Sequence, residues 1–305
     1  MINISNTSIL PEEDKKTEQS IYDSRIFCIF LLCMCIIGLL GNGMVIHLLG
    51  FRIKRSPFTT YILNLAVADF GVLLFVSARW ILILSHRDFS LLFPVPTIYA
   101  SFMYVTSQFL LTAISVDKCV SVLFPIWYRC HRPMHWSTTV CALIWVLISL
   151  PTASSTVLWS LDLIERRYFF YPYIVSSFLC LPLVTVSTVI LLFKVSCKFQ
   201  QPQRRRLLTI ILLTLLFFLI FGYPLGIIYT YGFLNDFKDN FLYYVEFYGY
   251  LCACLNSFVN PVIYYMVGRK KKAQRRETLK VILQRVFKEE EEAGEEGGTT
   301  AQTEP

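Results

Sequence analysis

The sequence predicts an all-α protein: a seven-transmembrane helix bundle with a short amphipathic helix after the seventh span. Three observations carry that prediction. The 305 residues are 55% hydrophobic and 16% charged, with a mean hydropathy of +0.55, whereas soluble domains run at about 45 to 50% apolar and about 25% charged. The apolar residues gather into seven blocks, each long enough for the roughly 20 residues with which a helix crosses a bilayer core about 30 Å thick. Within each block the apolar character is continuous, which excludes the period-two alternation of a transmembrane β-barrel.

The blocks run Ile26 to Gly50, Pro57 to Leu84, Phe93 to Leu123, Ser137 to Ser160, Phe169 to Ser196, Leu207 to Phe233 and Phe241 to Val267. Short loops join them, so residues 26–267 read as one bundle with no second domain and no internal repeat. Residues 1–25 read as an extracellular N-terminal tail. They hold no apolar core of their own, so no cleaved signal peptide is expected and the first span directs its own insertion.

Orientation follows from basic residues in short loops, which resist translocation where acids matter little. The loops after spans one, three and five carry Arg52, Lys54 and Arg55, then Arg129 and Arg132, then Lys198 and Arg204 to Arg206. The segment after span seven adds Arg269 to Lys272, Arg275 and Arg276. The opposite loops are mixed or acidic, with Asp162 and Glu165 beside Arg166 and Arg167. The expected placement is multi-pass in the plasma membrane, N-terminus extracellular and C-terminus cytoplasmic. Asn3-Ile4-Ser5 and Asn6-Thr7-Ser8 fit the glycosylation acceptor pattern, so Asn3 and Asn6 are candidate modification sites.

Beyond the bundle, residues 268–287 place Leu279, Ile282, Leu283, Val286 and Phe287 at helical spacing opposite basic residues. That pattern predicts an amphipathic helix on an anionic membrane surface. No cysteine follows Cys254, so a palmitoyl anchor is not expected there. Residues 288–305 are acidic and poor in apolar side chains, the composition of a disordered cytoplasmic tail.

Polar residues inside the spans carry the functional information, because a charge near the bilayer centre costs about 2.5 to 3.5 kcal/mol even on insertion scales. Asp69 in span two must face the bundle interior, where water, a cation or another side chain compensates it. Span three offers Ser107, and span seven offers Asn256, Ser257 and Asn260. These five residues form a candidate site for an allosteric sodium ion, and no other cofactor is expected. Asn256 and Asn260 are four apart and share a helical face, and Asn42 of span one is placed to join them. A plain hydrogen-bonded knot that holds helices together is the competing reading.

Gly41-Asn42, "LAVAD" ending at Asp69, Trp145, Pro224 and "NSFVNPVIY" from Asn256 to Tyr264, with Pro261 inside it, occur in an order and spacing that resemble the rhodopsin-like G-protein-coupled receptors. "FRIKRSPFTTYILNLAVADFGVLLF", "SVLFPIWYRCHRP" and "FGYP" most resemble the Mas-related receptors among them. The resemblance implies a bundle that an extracellular peptide or small amphiphile shifts between two packings, one of which admits a heterotrimeric G protein. The coupling and switch residues it implies are Asp117, Lys118, Pro224, Pro261 and Tyr264. Asp117 and Lys118 occupy the acid and arginine places of the family motif that closes span three. A lysine keeps the charge and loses the five-donor fork. It is expected to hold Asp117, and the arginines at 204–206 make a salt bridge from Lys118 to span six unexpected.

Further departures shape the pocket. Ten cysteines are present, none in an extracellular loop, so the disulfide usual in the family is not expected. Ala100 stands where amine receptors carry an aspartate, and span seven holds no lysine for a retinal. The candidate ligand residues are Tyr99, Tyr104, Phe221, Tyr223, Tyr229, Asp162 and Glu165, the two acids being equally readable as solvated loop charges. Gly222 replaces the bulky residue that the family places before the proline of span six, and Pro224 is expected to kink that helix.

Catalysis is not expected, since the chain has no H-E-x-x-H, no phosphate loop and no nucleophile set. A transporter would show inverted repeats or interrupted helices. The remaining rival is a nonsignalling or weakly coupled decoy that binds ligand without activating a G protein.

Overall fold

The computed structural model describes residues 12–53, 55–85, 94–163, 171–198, 202–234, 239–268 and 281. The described residues are helical almost throughout, in the order α1 (Glu12–Phe51), α2 (Pro57–Leu84), α3 (Pro94–Leu123), α4 (Pro125–Cys130), α5 (Trp136–Ser160), α6 (Tyr171–Lys198), α7 (Pro202–Phe217), α8 (Tyr223–Leu234) and α9 (Asp239–Gly268). A π-helical segment, Phe218–Gly222, joins α7 to α8. Spans one, two and three are α1, α2 and α3; spans four and five are α5 and α6; span six is α7, the π segment and α8; span seven is α9.

Six stretches among the described residues are long and apolar enough to cross a membrane, from Ile26–Phe51 to Leu208–Tyr231. The seventh span, α9, has 30 residues, about 45 Å at helical rise, and trades apolarity for Asn256, Ser257 and Asn260. Helix α1 begins at Glu12, inside the stretch assigned to the N-terminal tail, while its apolar part begins at Ile26. Apolarity marks where a span can meet lipid; it does not mark where helical backbone starts. Asn3, Asn6, Glu165, Arg166, Arg167 and residues 288–305 lie outside the described residues. So does the segment 268–287, apart from Gly268 and Val281.

Local chemistry fixes the helix ends. Ser56 caps α2: its hydroxyl accepts from Thr59 N–H, and the Thr59 hydroxyl accepts from Ser56 N–H at 2.7 Å, with Pro57 at the first helical position. This is a capping box with threonine in the reciprocating place. Between α3 and α4 stands Phe124, at φ −124° and ψ 62°, because the following Pro125 excludes it from the helical region. Helix α5 ends in a reversal where Leu163 N–H donates to Leu158 C=O and Asp162 N–H to Trp159 C=O, with Asp162 at φ 54°. That is a Schellman closure, and aspartate is among the few residues that accept its left-handed position.

The helices enclose two clusters of buried apolar residues. One, with Leu48, Phe58, Ile62, Leu111, Leu215 and Tyr264, lies toward the Asp117 end. The other, with Leu31, Trp80, Tyr104, Tyr173, Tyr229 and Tyr250, fills the opposite end. Helix α2 packs on α1, α3, α5 and α9, so its mid-point looks into the centre of the bundle. Helix α5 buries only Ser137, Cys141 and Ile144, and Leu143, Leu147 and Leu150 stand exposed along it. Large exposed apolar side chains such as Leu40, Phe178 and Phe193 suit a surface solvated by lipid.

Span six is fitted closely to span five. A Cβ added at Gly226 would collide with the Ser177 hydroxyl and lie 3.2 Å from Ser177 Cβ, so only glycine permits this approach. Gly226→Ala is expected to lower stability by about 1 to 3 kcal/mol through overpacking. Adding Ser177→Ala should restore most of the loss. Thermal unfolding of the three variants in detergent checks both steps.

Candidate functional site

The site is built around Asp69, which is fully enclosed midway along α2. Its Oδ1 accepts hydrogen bonds from the hydroxyls of Ser107 at 2.9 Å and Ser257 at 3.0 Å. Its Oδ2 accepts from Nδ2 of Asn260 at 2.7 Å. One carboxylate therefore joins spans two, three and seven. Asn42 extends the knot to span one, its Nδ2 donating to Gly38 C=O at 3.1 Å and to Ser257 C=O at 3.0 Å. Asn256 is buried one turn from Asn260 on α9, beside the cluster and outside the set of donors that reach Asp69.

The three donors to Asp69 are neutral, so the carboxylate receives hydrogen bonds but no countercharge from them. The oxygens of Asp69, Ser107, Ser257 and Asn260 are hard donors, chemically suited to an alkali cation and unsuited to a soft metal. Among the described residues no group of three or more His, Cys, Asp or Glu side chains assembles.

Asp117 and Lys118 lie at one end of the bundle, both less than a tenth exposed. Here the structure corrects the expectation that Lys118 holds Asp117. Arg132 Nη2 donates to Asp117 Oδ1 at 2.8 Å and to Ser137 Oγ at 2.7 Å, while the Tyr128 hydroxyl donates to Asp117 Oδ2 at 2.7 Å. The Arg132 guanidinium lies over the Tyr128 ring, 4.5 Å from its centroid. The physical reason is helix geometry: adjacent residues point in different directions, so consecutive side chains do not face each other. Lys118 turns to α2, with Nζ 4.2 Å from the centroid of Phe58, a cation–π contact. Helix α4 supplies Tyr128, and the turn after it supplies Arg132. Tyr264 is buried in the same half and lines a small apolar cavity with Phe58, Leu111, Thr214 and Leu215. Pro261 is buried within α9 beside Gly41 of α1. The side chains of Arg204 to Arg206 lie outside the described residues.

At the opposite end, buried aromatics meet. Tyr104, Tyr173 and Tyr229 form a run, with ring centroids 5.7 Å and 4.7 Å apart. The Tyr104 hydroxyl donates to Gly222 C=O, as does Gln108 Nε2 at 3.1 Å, and the Tyr223 hydroxyl donates to Ser177 C=O at 2.8 Å. Pro224 follows the π segment and is half-buried.

The candidate ligand residues thus separate. Tyr104, Tyr223 and Tyr229 converge in the interior. Phe221 is half-buried and stacks on Phe217, one turn back on its own span. Tyr99 is 49% exposed and stacks on Phe75, so its ring lies on the bundle's flank. Asp162 is exposed and terminates α5.

Sequence reasoning passed over Gln108, Tyr128 and Arg132 as members of the site, and over Asn64, whose Oδ1 accepts from Trp145 Nε1 at 2.9 Å and ties span two to span four. Gln108 carried a signal, being a long polar side chain four residues from Tyr104 on one helical face. Arg132 carried none, since its basic charge is explained by topology alone.

A family model for the 7 transmembrane receptor, rhodopsin family, matches residues 41–264, and the chain belongs to that family. It is 37% identical to the rat protein named Proto-oncogene Mas over 271 residues, 83% of this chain and 81% of that one. It is 35% identical to human Mas-related G-protein coupled receptor member X1 over 304 residues, 92% of this chain and 90% of the relative. A third relative, Mas-related G-protein coupled receptor member D of Macaca fascicularis, is 38% identical over 283 residues, 88% and 86% of the two chains. The Mas-related group is therefore the branch in which it falls, as a multi-pass membrane receptor.

Arg132→Met leaves the buried Asp117 carboxylate without its cation and is expected to cost about 3 to 5 kcal/mol. Asp117→Asn in the same chain should recover much of that, because it removes the charge as well as its partner. Unfolding temperatures of the single and double variants distinguish this pair from a surface salt bridge, whose loss would cost at most about 1 kcal/mol.

Proposed function

We propose that the chain is a plasma-membrane receptor, N-terminus outside and C-terminus in the cytosol, that converts binding of an extracellular peptide or small amphiphile into activation of a heterotrimeric G protein. The observation that carries this reading is the sharing of the Asp69 carboxylate by three spans. A charge so enclosed is worth keeping where the helices that shelter it must rearrange together. Ligand binding at the aromatic end biases that packing only through different affinities for the two arrangements. By linkage, a G protein at the Asp117 end tightens ligand binding by the same factor.

The aromatic end supports an amphiphile, because Tyr104, Tyr173 and Tyr229 bring apolar faces and hydroxyls together. At the Asp117 end, Asp117 bonds Arg132 and Tyr128, and Lys118, in the arginine place of the motif, lies over the Phe58 ring as the motif's cation. An ammonium is a compact charge without a directed fork, so coupling through it is modest. Asp69, Ser107, Ser257 and Asn260 would hold a sodium ion. When bound, that ion supplies the positive charge their neutral donors lack and favours the packing in which they converge.

Reconstituted in nanodiscs, the full chain is expected to raise nucleotide exchange on at least one member of a panel of Gα subunits above empty nanodiscs. Lys118→Ala should lower that exchange roughly tenfold, the equivalent of one charge-assisted contact. Ligand capture with no exchange on any Gα would instead establish the decoy. For the cation, exchanging KCl for NaCl at constant ionic strength should raise the unfolding temperature, by the equivalent of about 1.4 kcal/mol at ten times Kd. Asp69→Asn should erase the difference. Equal melting of wild type in both salts would remove sodium from the scheme.

A further inference from the structure

The geometry points to a membrane-facing site for a sterol in the cleft between spans four and five, with the sterol hydroxyl held at Ser155. The inference goes beyond the receptor reading and requires only that the bundle stand in a bilayer.

Spans four and five each pack on span three, but among the described residues they do not form a packed pair with each other. A cleft is left between them. Span three lays its floor from Ile98 to Val105, span four supplies one wall from Ile148 to Ser155, and Pro172 of span five stands opposite. The lining is half-buried except for buried Val105, so the cleft opens on the flank of the bundle, where lipid is the solvent. It holds about 330 Å³ of empty space, its open mouth included.

Three hydroxyls line the cleft, those of Ser101, Thr152 and Ser155. A hydroxyl has one proton to donate and two lone pairs. Ser101 donates to Thr97 C=O and accepts from the Tyr173 hydroxyl, and Thr152 donates to Ile148 C=O, so both oxygens keep lone pairs to spare. Ser155 differs from its neighbours. Ser149, Thr152, Ser154, Thr156 and Ser160 each donate back to their own helix, whereas Ser155 makes no hydrogen bond among the described residues. An unsatisfied hydroxyl in hydrocarbon is costly, so the occupant must accept its proton. The spare lone pairs ask the same occupant for a proton in return. One hydroxyl does both, while a carbonyl only accepts and an ammonium only donates.

No charged side chain stands among the described residues that line the cleft, which leaves a phosphate or choline headgroup without a partner. Depth orders the rest. Spans three and four are antiparallel, and from Ser155 and Ile98 the cleft runs about 10 Å down to Ile148 and Val105 at helical rise. Ser155 lies near the end of α5 away from Asp117, and Phe102, deeper, rests on Trp145 with ring centroids 5.7 Å apart. The polar end is therefore near the membrane surface and the apolar end nearer its middle, the orientation a sterol takes. A rigid ring system also loses less freedom on docking into a short groove than an acyl chain does.

In the test, full-length chain in phosphatidylcholine nanodiscs is irradiated with a cholesterol probe whose photoreactive group sits on the ring body, and adducts are mapped by mass spectrometry. Adducts are expected on residues 98–105 and 148–155, displaced by excess cholesterol and far less by cholestane, which lacks the hydroxyl. Ser155→Ala is expected to lower labelling at limiting probe about three- to tenfold, the yield of one hydrogen bond. Thr152→Phe fills the cleft and should abolish labelling. Wild-type melting of either variant in sterol-free nanodiscs shows that its loss is local. Labelling that Ser155→Ala leaves unchanged, or that cholestane displaces as well as cholesterol does, would overturn the site. So would equal labelling of the same residues by a photoreactive phosphatidylcholine that cholesterol does not displace, which would give the cleft to ordinary acyl chains.

Discussion

Everything in this bundle is arranged around the burial of one carboxylate. Asp69 is completely enclosed and receives three neutral hydrogen bonds from two other spans. In a low-dielectric interior an unsatisfied group of that kind is costly, and a satisfied one ties its neighbours into a single geometry. The requirement reaches outward from there. Ser257 must stand where it serves Asp69 through its hydroxyl and Asn42 through its carbonyl, so span one is positioned by a residue it shares with span two. The apolar clusters on either side complete the packing around a layer whose register the hydrogen bonds already set.

The two ends of the molecule obey different constraints. At the Asp117 end a charge meets a charge: a guanidinium and a phenol donate to the acid, the guanidinium donates also to the Ser137 hydroxyl, and the neighbouring lysine rests on an aromatic face. At the other end one buried cation, Arg79, lies over the Tyr250 ring and donates to the Thr97 hydroxyl, while Tyr104, Gln108 and Tyr223 donate to main-chain carbonyls. Side chains bonded to backbone hold helices at fixed depth and rotation whatever residues the partner helix carries. That suits a protein whose sixth span has a glycine where a large side chain would otherwise set the contact.

The spans were legible because continuous apolarity over twenty or more residues suits a lipid interior and little else, and the polar layer was legible because Asp69, Ser107, Ser257 and Asn260 had nowhere else to go. The break at Phe124 was visible in the proline that follows it. Other features were hidden for identifiable reasons. The helix start at Glu12 lies in polar sequence that hydropathy cannot see. The partner of Asp117 depends on where a turn lays Arg132 against α3, a tertiary fact with no trace in spacing. Asp162, marked as a candidate ligand acid for its charge, also takes the left-handed position that ends α5, which charge does not report. Tyr99 stands apart from Tyr104 by helical phase, since five residues turn it about 140° around α3.

Helix α5 buries few of its residues and hangs on the bundle by a short set of contacts, among them the indole of Trp145 on Asn64 and the hydroxyl of Ser137 on Arg132. Most of its circumference is left to acyl chains. Seating of this span is thus a matter for the bilayer as much as for the protein: tail length and order press it home, and a thin or fluid membrane loosens the same strut that carries the arginine's second anchor.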